Sequence, residues 1–328
     1  MSLLLPVLAV LAGLAALVWS AGRFVDGAAA SARLLGVPAL LVGMVVVGFG
    51  TSAPELTVSA ISAWRGNSSI ALGNAWGSNI CNIGLILGVA AAISPLAIRR
   101  EALRFDLPIL FGTTVLSWFL LADGALSRAD AFILLVAFAA WLGTSVRRAV
   151  RGGAAPEPAA ADAPGAGLSG RMAAFWTVLG LVVLVVSSRV LVWGAVELAQ
   201  AIGVSDLVIG LTVVAVGTSL PELASSIVAA RKGADDLAVG NVIGSNLFNT
   251  LAVTGLAGAI APIGNVPEAV RTRDLPVTAA FTLALFLFGI VPVLRRRPAS
   301  LRRWQGALLL LGYLAYTAWI IRAETGAA

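Results

Sequence analysis

The sequence predicts an all-α integral membrane protein, with ten transmembrane helices arranged as two inverted five-helix repeats and broken helices at the centre. Three observations predict this. The 328-residue chain is 59% hydrophobic and only 12% charged, with a mean hydropathy of +0.97; soluble domains carry roughly a quarter of their residues as charged ones. Apolar runs such as LLLPVLAVLAGLAALVW and ALLLLGYLAYTAWII approach the ~20 residues that cross a bilayer as a helix. The chain is also written twice: residue n matches residue n + 167, and over 48–84 against 215–251 16 of 37 positions are identical without a gap.

The spans follow in order. The first, 3–22, is apolar with no basic stretch before it, so it is expected to stay in the chain as a span rather than act as a cleaved leader. The second, 38–64, and the seventh, 206–230, carry Gly-Thr-Ser-x-Pro-Glu in mid-run. The third, 68–94, and the eighth, 237–261, carry Gly-Asn-x-x-Gly-Ser-Asn-x-x-Asn. The fourth, 106–122, and the ninth, 275–293, lie at matching Asp-Leu-Pro segments, with the repeat register slipped by one. The fifth, 128–146, and the tenth, 304–321, close the halves, and the sixth, 174–200, opens the second half. Between them, 149–170 is Ala/Gly/Pro-rich and aperiodic, the composition of a flexible linker. The chain thus divides into a first repeat, 1–148, a linker, 149–170, and a second repeat, 171–328.

Five spans per repeat is an odd number, so the second repeat enters the membrane from the side opposite to the first, as in inverted-topology transporters. The basic residues agree. With the amino terminus outside, 16 of the 22 Lys and Arg fall on the cytoplasmic side, 5 fall outside, and Arg189 lies within a span. Both termini are expected outside and the linker in the cytoplasm, in the plasma (inner) membrane. The net charge of +6 is thereby explained by orientation and does not call for a nucleic-acid partner.

The chain has no histidine and one cysteine, Cys81. Histidine-ligated metals, Ser-His catalysis, histidine proton relays and a disulfide framework are excluded together. Its aspartates lie at span edges, against an intramembrane aspartyl protease, so no enzyme activity is expected. Asp123, Asp130, Asp235, Asp236, Glu268 and Asp274 are expected to be solvated.

Glu55 and Glu222 lie in mid-span, where an ionisable group is costly and marks function. Pro54 and Pro221 release the carbonyls of Gly50 and Gly217. Thr51 and Ser52 stand i−4 and i−3 to Glu55, and Ser78 stands i−4 to Asn82, so their oxygens share helix faces; the second copy repeats this with Thr218, Ser219, Ser245 and Asn249. Two carboxylates with hydroxyl, amide and carbonyl oxygens make a donor set for a hard cation, and Ca²⁺ takes six to eight oxygens. Helix packing alone would explain one such motif, but not the same residue types at the same spacing in both halves. A site inside broken helices also suits alternating access better than an open channel.

GTSAPE…GNAWGSNICN and GTSLPE…GNVIGSNLFN resemble the two alpha-repeats of the cation/Ca²⁺ exchanger superfamily, and the whole chain resembles its bacterial Na⁺/Ca²⁺ exchanger branch. The resemblance implies an antiporter that exchanges Na⁺ for Ca²⁺ by alternating access. Glu55 and Glu222 would be the central Ca²⁺ ligands, with Thr51 and Thr218 giving backbone and side-chain oxygens. Ser52, Ser219, Ser78 and Ser245 would line flanking Na⁺ sites with the carbonyls of Gly48 and Ala215, and Asn82 and Asn249 would complete the middle. Some relatives carry aspartate at the place of Asn249, so the charge here is lower and H⁺/Ca²⁺ antiport, with Glu55 and Glu222 as proton carriers, is the alternative. The implied substrates are Ca²⁺ and Na⁺; the surroundings are the lipid bilayer; no cofactor, nucleic acid or obligate protein partner is expected.

Overall fold

The computed structural model describes residues 3–66, 68–152, 163–203 and 215–325. Its long elements are α1 Leu4–Leu35, the bent pair α2 Ala39–Thr51 and α3 Ala53–Trp64, α4 Ile70–Ile93, α5 Ala102–Leu120 and α6 Arg128–Gly152. The second half supplies α7 Gly170–Ala201, α8 Ala215–Thr218, α9 Leu220–Arg231, α10 Asp235–Ile260, α11 Val270–Leu294 and α12 Arg303–Thr325. Among the described residues eight helices are long and apolar enough to cross a membrane, and nine if α2 and α3 form one bent span. The chain is a multi-pass helical membrane protein. The start of the expected seventh span, 206–214, lies outside the described residues.

Helices α4 and α10 form the centre: in an apolar 18-residue stretch of each, 72% and 83% of residues are buried, against 39% or less for the other six. Outside them, α1 and α7 pack antiparallel along their length, and glycines set the distance. A Cβ at Gly13 would lie 2.9 Å from Leu191 Cβ, and one at Gly180 would lie 2.7 Å from the Phe24 backbone nitrogen. Gly27 and Gly194 press equally closely on Thr177 and Pro6. Gly13 and Gly180, and Gly27 and Gly194, are each 167 residues apart, so each half lends the other the same close contact.

Two short pairings join loops of opposite halves. Strand β1, Leu96–Ala97, runs antiparallel to β2, Ser300–Leu301, and Leu126 bridges Ile263. Leu96 and Ile263 are themselves 167 apart.

Several expectations change. The first helix runs to Leu35, well past 22, because Ala28, Ala29, Ala30 and Ala32 stay buried and the turn comes only at Gly36, whose φ of 64° ends the helix in a left-handed cap. Within the expected linker 149–170, α6 continues to Gly152, and the segment 163–168 is held on α1, where Arg33 donates to the Pro164 carbonyl over 2.6 Å. Residues 153–162 lie outside the described residues. Three acids expected to be solvated are engaged instead. Asp274 is 6% exposed and accepts from Tyr316 Oη at 2.9 Å and from Arg273 at 2.7 Å. Asp236 pairs with Arg99, and Asp235 accepts from the Ala97 amide at 2.9 Å. Asp235 and Asp236 lie in the first turn of α10 and meet the loop that carries Ala97 and Arg99, whereas Asp274 lies within α11 and meets Tyr316 of α12.

Candidate functional site

Both Gly-Thr-Ser-x-Pro-Glu segments break their helix at the serine. Ser52 (φ −83°, ψ 3°) separates α2 from α3, with a bend of 46°, and Ser219 (φ −93°, ψ 10°) separates α8 from α9. Proline two residues on cannot donate to the preceding turn, so a new helix starts there, and its first turn carries Glu55 or Glu222. The Gly217 carbonyl that Pro221 releases is taken up by the Ser188 hydroxyl at 3.1 Å.

The two carboxylates meet between the halves. Each is 1% exposed. The Ser52 hydroxyl donates to Glu222 Oε1 at 3.2 Å, and the Ser219 hydroxyl donates to Glu55 Oε1 at 3.4 Å. These two bonds are images of each other under the 167-residue offset, and each reaches from one half to the other. Thr51 Oγ1 lies 3.0 Å from the Val47 carbonyl, and the Ser245 hydroxyl donates to the Gly48 carbonyl at 3.4 Å. Asn82 donates to Asn246 Oδ1 at 2.9 Å. Ser78, Asn82, Ser245 and Asn249 are all buried. Thr218 ends α8, and Ala215 begins it.

The helices that carry the amides widen at this level. Residues Asn82–Leu87 and Phe248–Val253 are π-helical, a rare form that occurs mostly as single-turn bulges in α-helices and is frequent at functional sites. Thr254 Oγ1 takes up the Asn249 carbonyl at 2.9 Å.

Among the described residues, Ser117 Oγ apart, the buried side-chain oxygens without a hydrogen-bond partner are Glu55 Oε2, Glu222 Oε2, Asn79 Oδ1, Asn82 Oδ1 and Asn249 Oδ1. All are acceptors, and burying unpaired acceptors is costly unless a positive group completes them. Among the described residues no three His, Cys, Asp or Glu side chains converge. The arrangement is therefore two carboxylates among neutral oxygens, suited to a hard cation and not to a thiolate or imidazole metal.

Sequence reasoning did not assign roles to four asparagines. Asn74 Nδ2 donates to the Glu55 carbonyl at 3.0 Å and to Ser59 at 2.9 Å; its equivalent, Asn241, reaches the Glu222 carbonyl at 3.3 Å and Ser226 at 2.9 Å. Each amide pins the helix turn that holds a carboxylate. Asn79 donates to Thr250 at 2.8 Å, and Asn246 to the Asn79 carbonyl at 3.3 Å, so the two central helices are stitched directly together. The available signal was identity between the halves at 74/241 and 79/246.

Comparison with known proteins agrees with this architecture. The family model described as sodium/calcium exchanger protein matches residues 5–147 and 172–322. The chain is 43% identical over 321 residues to the putative antiporter CaxA of Alkalimonas amylolytica, covering 96% of this chain and 98% of that one. It is 31% identical to the sodium/calcium exchanger MaX1 of Methanosarcina acetivorans, covering 94% and 96%. A solved structure of the sodium-calcium exchanger NCX_Mj, soaked with Na⁺ and Sr²⁺, superposes with a TM-score of 0.83 at 30% identity, covering 97% of this chain and 99% of that one. With both repeats matched and nearly the full length covered, the chain belongs to the sodium/calcium exchanger protein family.

Proposed function

We propose that the protein is a secondary antiporter that exchanges Na⁺ for Ca²⁺, binding both between Glu55 and Glu222 and exposing them to the two sides in turn. The observation that carries this reading is the reciprocal pair Ser52–Glu222 and Ser219–Glu55, which leaves one unpartnered oxygen on each buried carboxylate. Two carboxylates balance one divalent ion, and Thr51, Ser52, Ser78, Asn82, Thr218, Ser219, Ser245 and Asn249, with the carbonyls of Gly48 and Ala215, are small neutral ligands for monovalent ions beside them. A resident cofactor has no role in this exchange.

The same reading takes 1–148 and 171–328 as inverted five-span repeats, ten spans in all, with 149–170 as a cytoplasmic connection and both termini outside. The antiparallel packing of α1 on α7 through glycines 167 residues apart supports it, as does the arginine distribution. One relative, 38% identical, is named an inner membrane protein of Escherichia coli, which supports the same location here. Alternating access then opens the fixed site between the repeats to one side and the other in turn.

A second reading, H⁺/Ca²⁺ antiport with Glu55 and Glu222 as proton carriers, rests on the same buried carboxylates. Uptake of ⁴⁵Ca²⁺ into proteoliposomes at clamped voltage decides between them. Outward Na⁺ at constant pH is expected to drive uptake; uptake that follows a pH gradient and ignores Na⁺ moves the assignment to the second reading.

A further inference from the structure

The junction of α11 and α12 forms a groove of about 340 Å³. Its wall is apolar and faces outward from the bundle: Leu287 and Val291, one helical turn apart, are 44% and 38% exposed. Its rim is basic, with Arg295, Arg297 and Arg302, and Trp304 closes one side, edge-on to Phe288 with ring centroids 5.8 Å apart. Among the described residues none of these arginines is in an ion pair.

The backbone holds this rim in place. At the end of α11 the Arg297 amide returns to the Pro292 carbonyl at 2.8 Å and the Arg296 amide to the Val293 carbonyl at 2.9 Å, a left-handed helix cap. The cap position is normally glycine, yet here it is Arg296, with φ 57°, the one non-glycine residue with positive φ among those described. A run of three arginines is thus carried through a position that disfavours any side chain. On the far side of the turn, β2 is paired to β1, and the Arg302 amide donates to Gln305 Oε1 at 2.7 Å, so Arg302 is brought back over the groove.

Scattered arginines at span ends need no ligand, since they orient the chain. Here, however, unpaired guanidinium groups, an outward apolar wall and an interfacial tryptophan share one groove. Guanidinium groups bind phosphate through paired donors, and the exposed apolar wall suits an acyl chain. We propose that this groove seats one anionic phospholipid, its phosphate held by Arg295, Arg297 and Arg302 and an acyl chain laid along Leu287 and Val291.

The test is native mass spectrometry of the whole protein extracted from liposomes of phosphatidylglycerol and phosphatidylcholine in equal parts. One phosphatidylglycerol is expected to remain bound in preference to phosphatidylcholine. Each basic residue is worth roughly fivefold, so Arg295→Gln/Arg297→Gln/Arg302→Gln together should lower retention roughly a hundredfold. Val291→Trp, which fills the wall and keeps every charge, should also lose the lipid. The pair Arg147→Gln/Arg151→Gln, outside the groove, should keep it. Equal retention of both lipids, retention by Val291→Trp, or equal loss in the Arg147/Arg151 variant would overturn the proposal. Val291→Trp keeps the test decisive if the triple variant fails to fold.

Discussion

Thr51 Oγ1 stands 3.1 Å from Asn241 Oδ1, across 190 residues of sequence. The contact joins the end of α2, in the first half, to the amide that also holds the Glu222 turn of the second. Asn241 is fully buried and within reach of Thr51, Ser225, Ser226 and the Glu222 carbonyl, so its removal breaks four polar contacts in a buried setting. Asn241→Ala is expected to destabilise the protein by about 2 kcal/mol. Asn74→Ala, whose amide has two bonded partners in a half-buried setting, should cost less. Thermal unfolding in detergent measures both, and equal costs would show that the halves are loaded alike.

Glu55→Gln and Glu222→Gln are each expected to abolish Ca²⁺ transport in a folded protein, because attraction for a divalent ion in a poorly screened site needs both charges. Ser52→Ala and Ser219→Ala remove one neutral ligand and one hydrogen bond to a carboxylate; about 1 kcal/mol each corresponds to roughly a fivefold rise in the half-maximal ion concentration. Proteoliposome uptake reads all four. Transport at the parent rate by either glutamine variant would dissolve the shared site.

Asn249→Asp tests the charge of the site. The Asn249 oxygen is buried and unpartnered, so a carboxylate there adds a third buried charge to the proposed site. The half-maximal Ca²⁺ concentration is expected to fall at least severalfold, with slower turnover as the ion is held more tightly. An unchanged value would place Asn249 outside the ion's coordination.

Tyr316→Phe removes the hydroxyl that donates to the buried Asp274 carboxylate. A hydrogen bond to a charged group is worth about 2 kcal/mol, and the unfolding temperature should drop accordingly. Glu268→Gln, at an exposed position, should leave it unchanged.

Arg296→Gly relieves a left-handed backbone and is expected to stabilise the protein by about 1 kcal/mol in lipid-free detergent. A lower unfolding temperature would show that the arginine side chain stabilises the turn by more than the strain costs.

The sequence alone determined that the chain lives in a membrane, that it is a doubled unit, and that two mid-span glutamates lie in matching oxygen-rich motifs. Those conclusions rest on local properties: hydropathy over a span, proline chemistry within one turn, and identity at a constant offset. Only the tertiary structure decided which groups meet across the halves. That Ser52 serves Glu222 and not the Glu55 three residues away is invisible in sequence, because helical spacing places Ser52 beside its own glutamate, while the break at Ser52 turns its hydroxyl toward the other repeat. The asparagines that pin each glutamate turn, and the burial of Asp274 under Tyr316, depend in the same way on contacts between helices distant in the chain. A span-end aspartate reads as solvated until packing brings a partner to it; burial is a property of the assembled bundle, not of the residue and its neighbours in sequence.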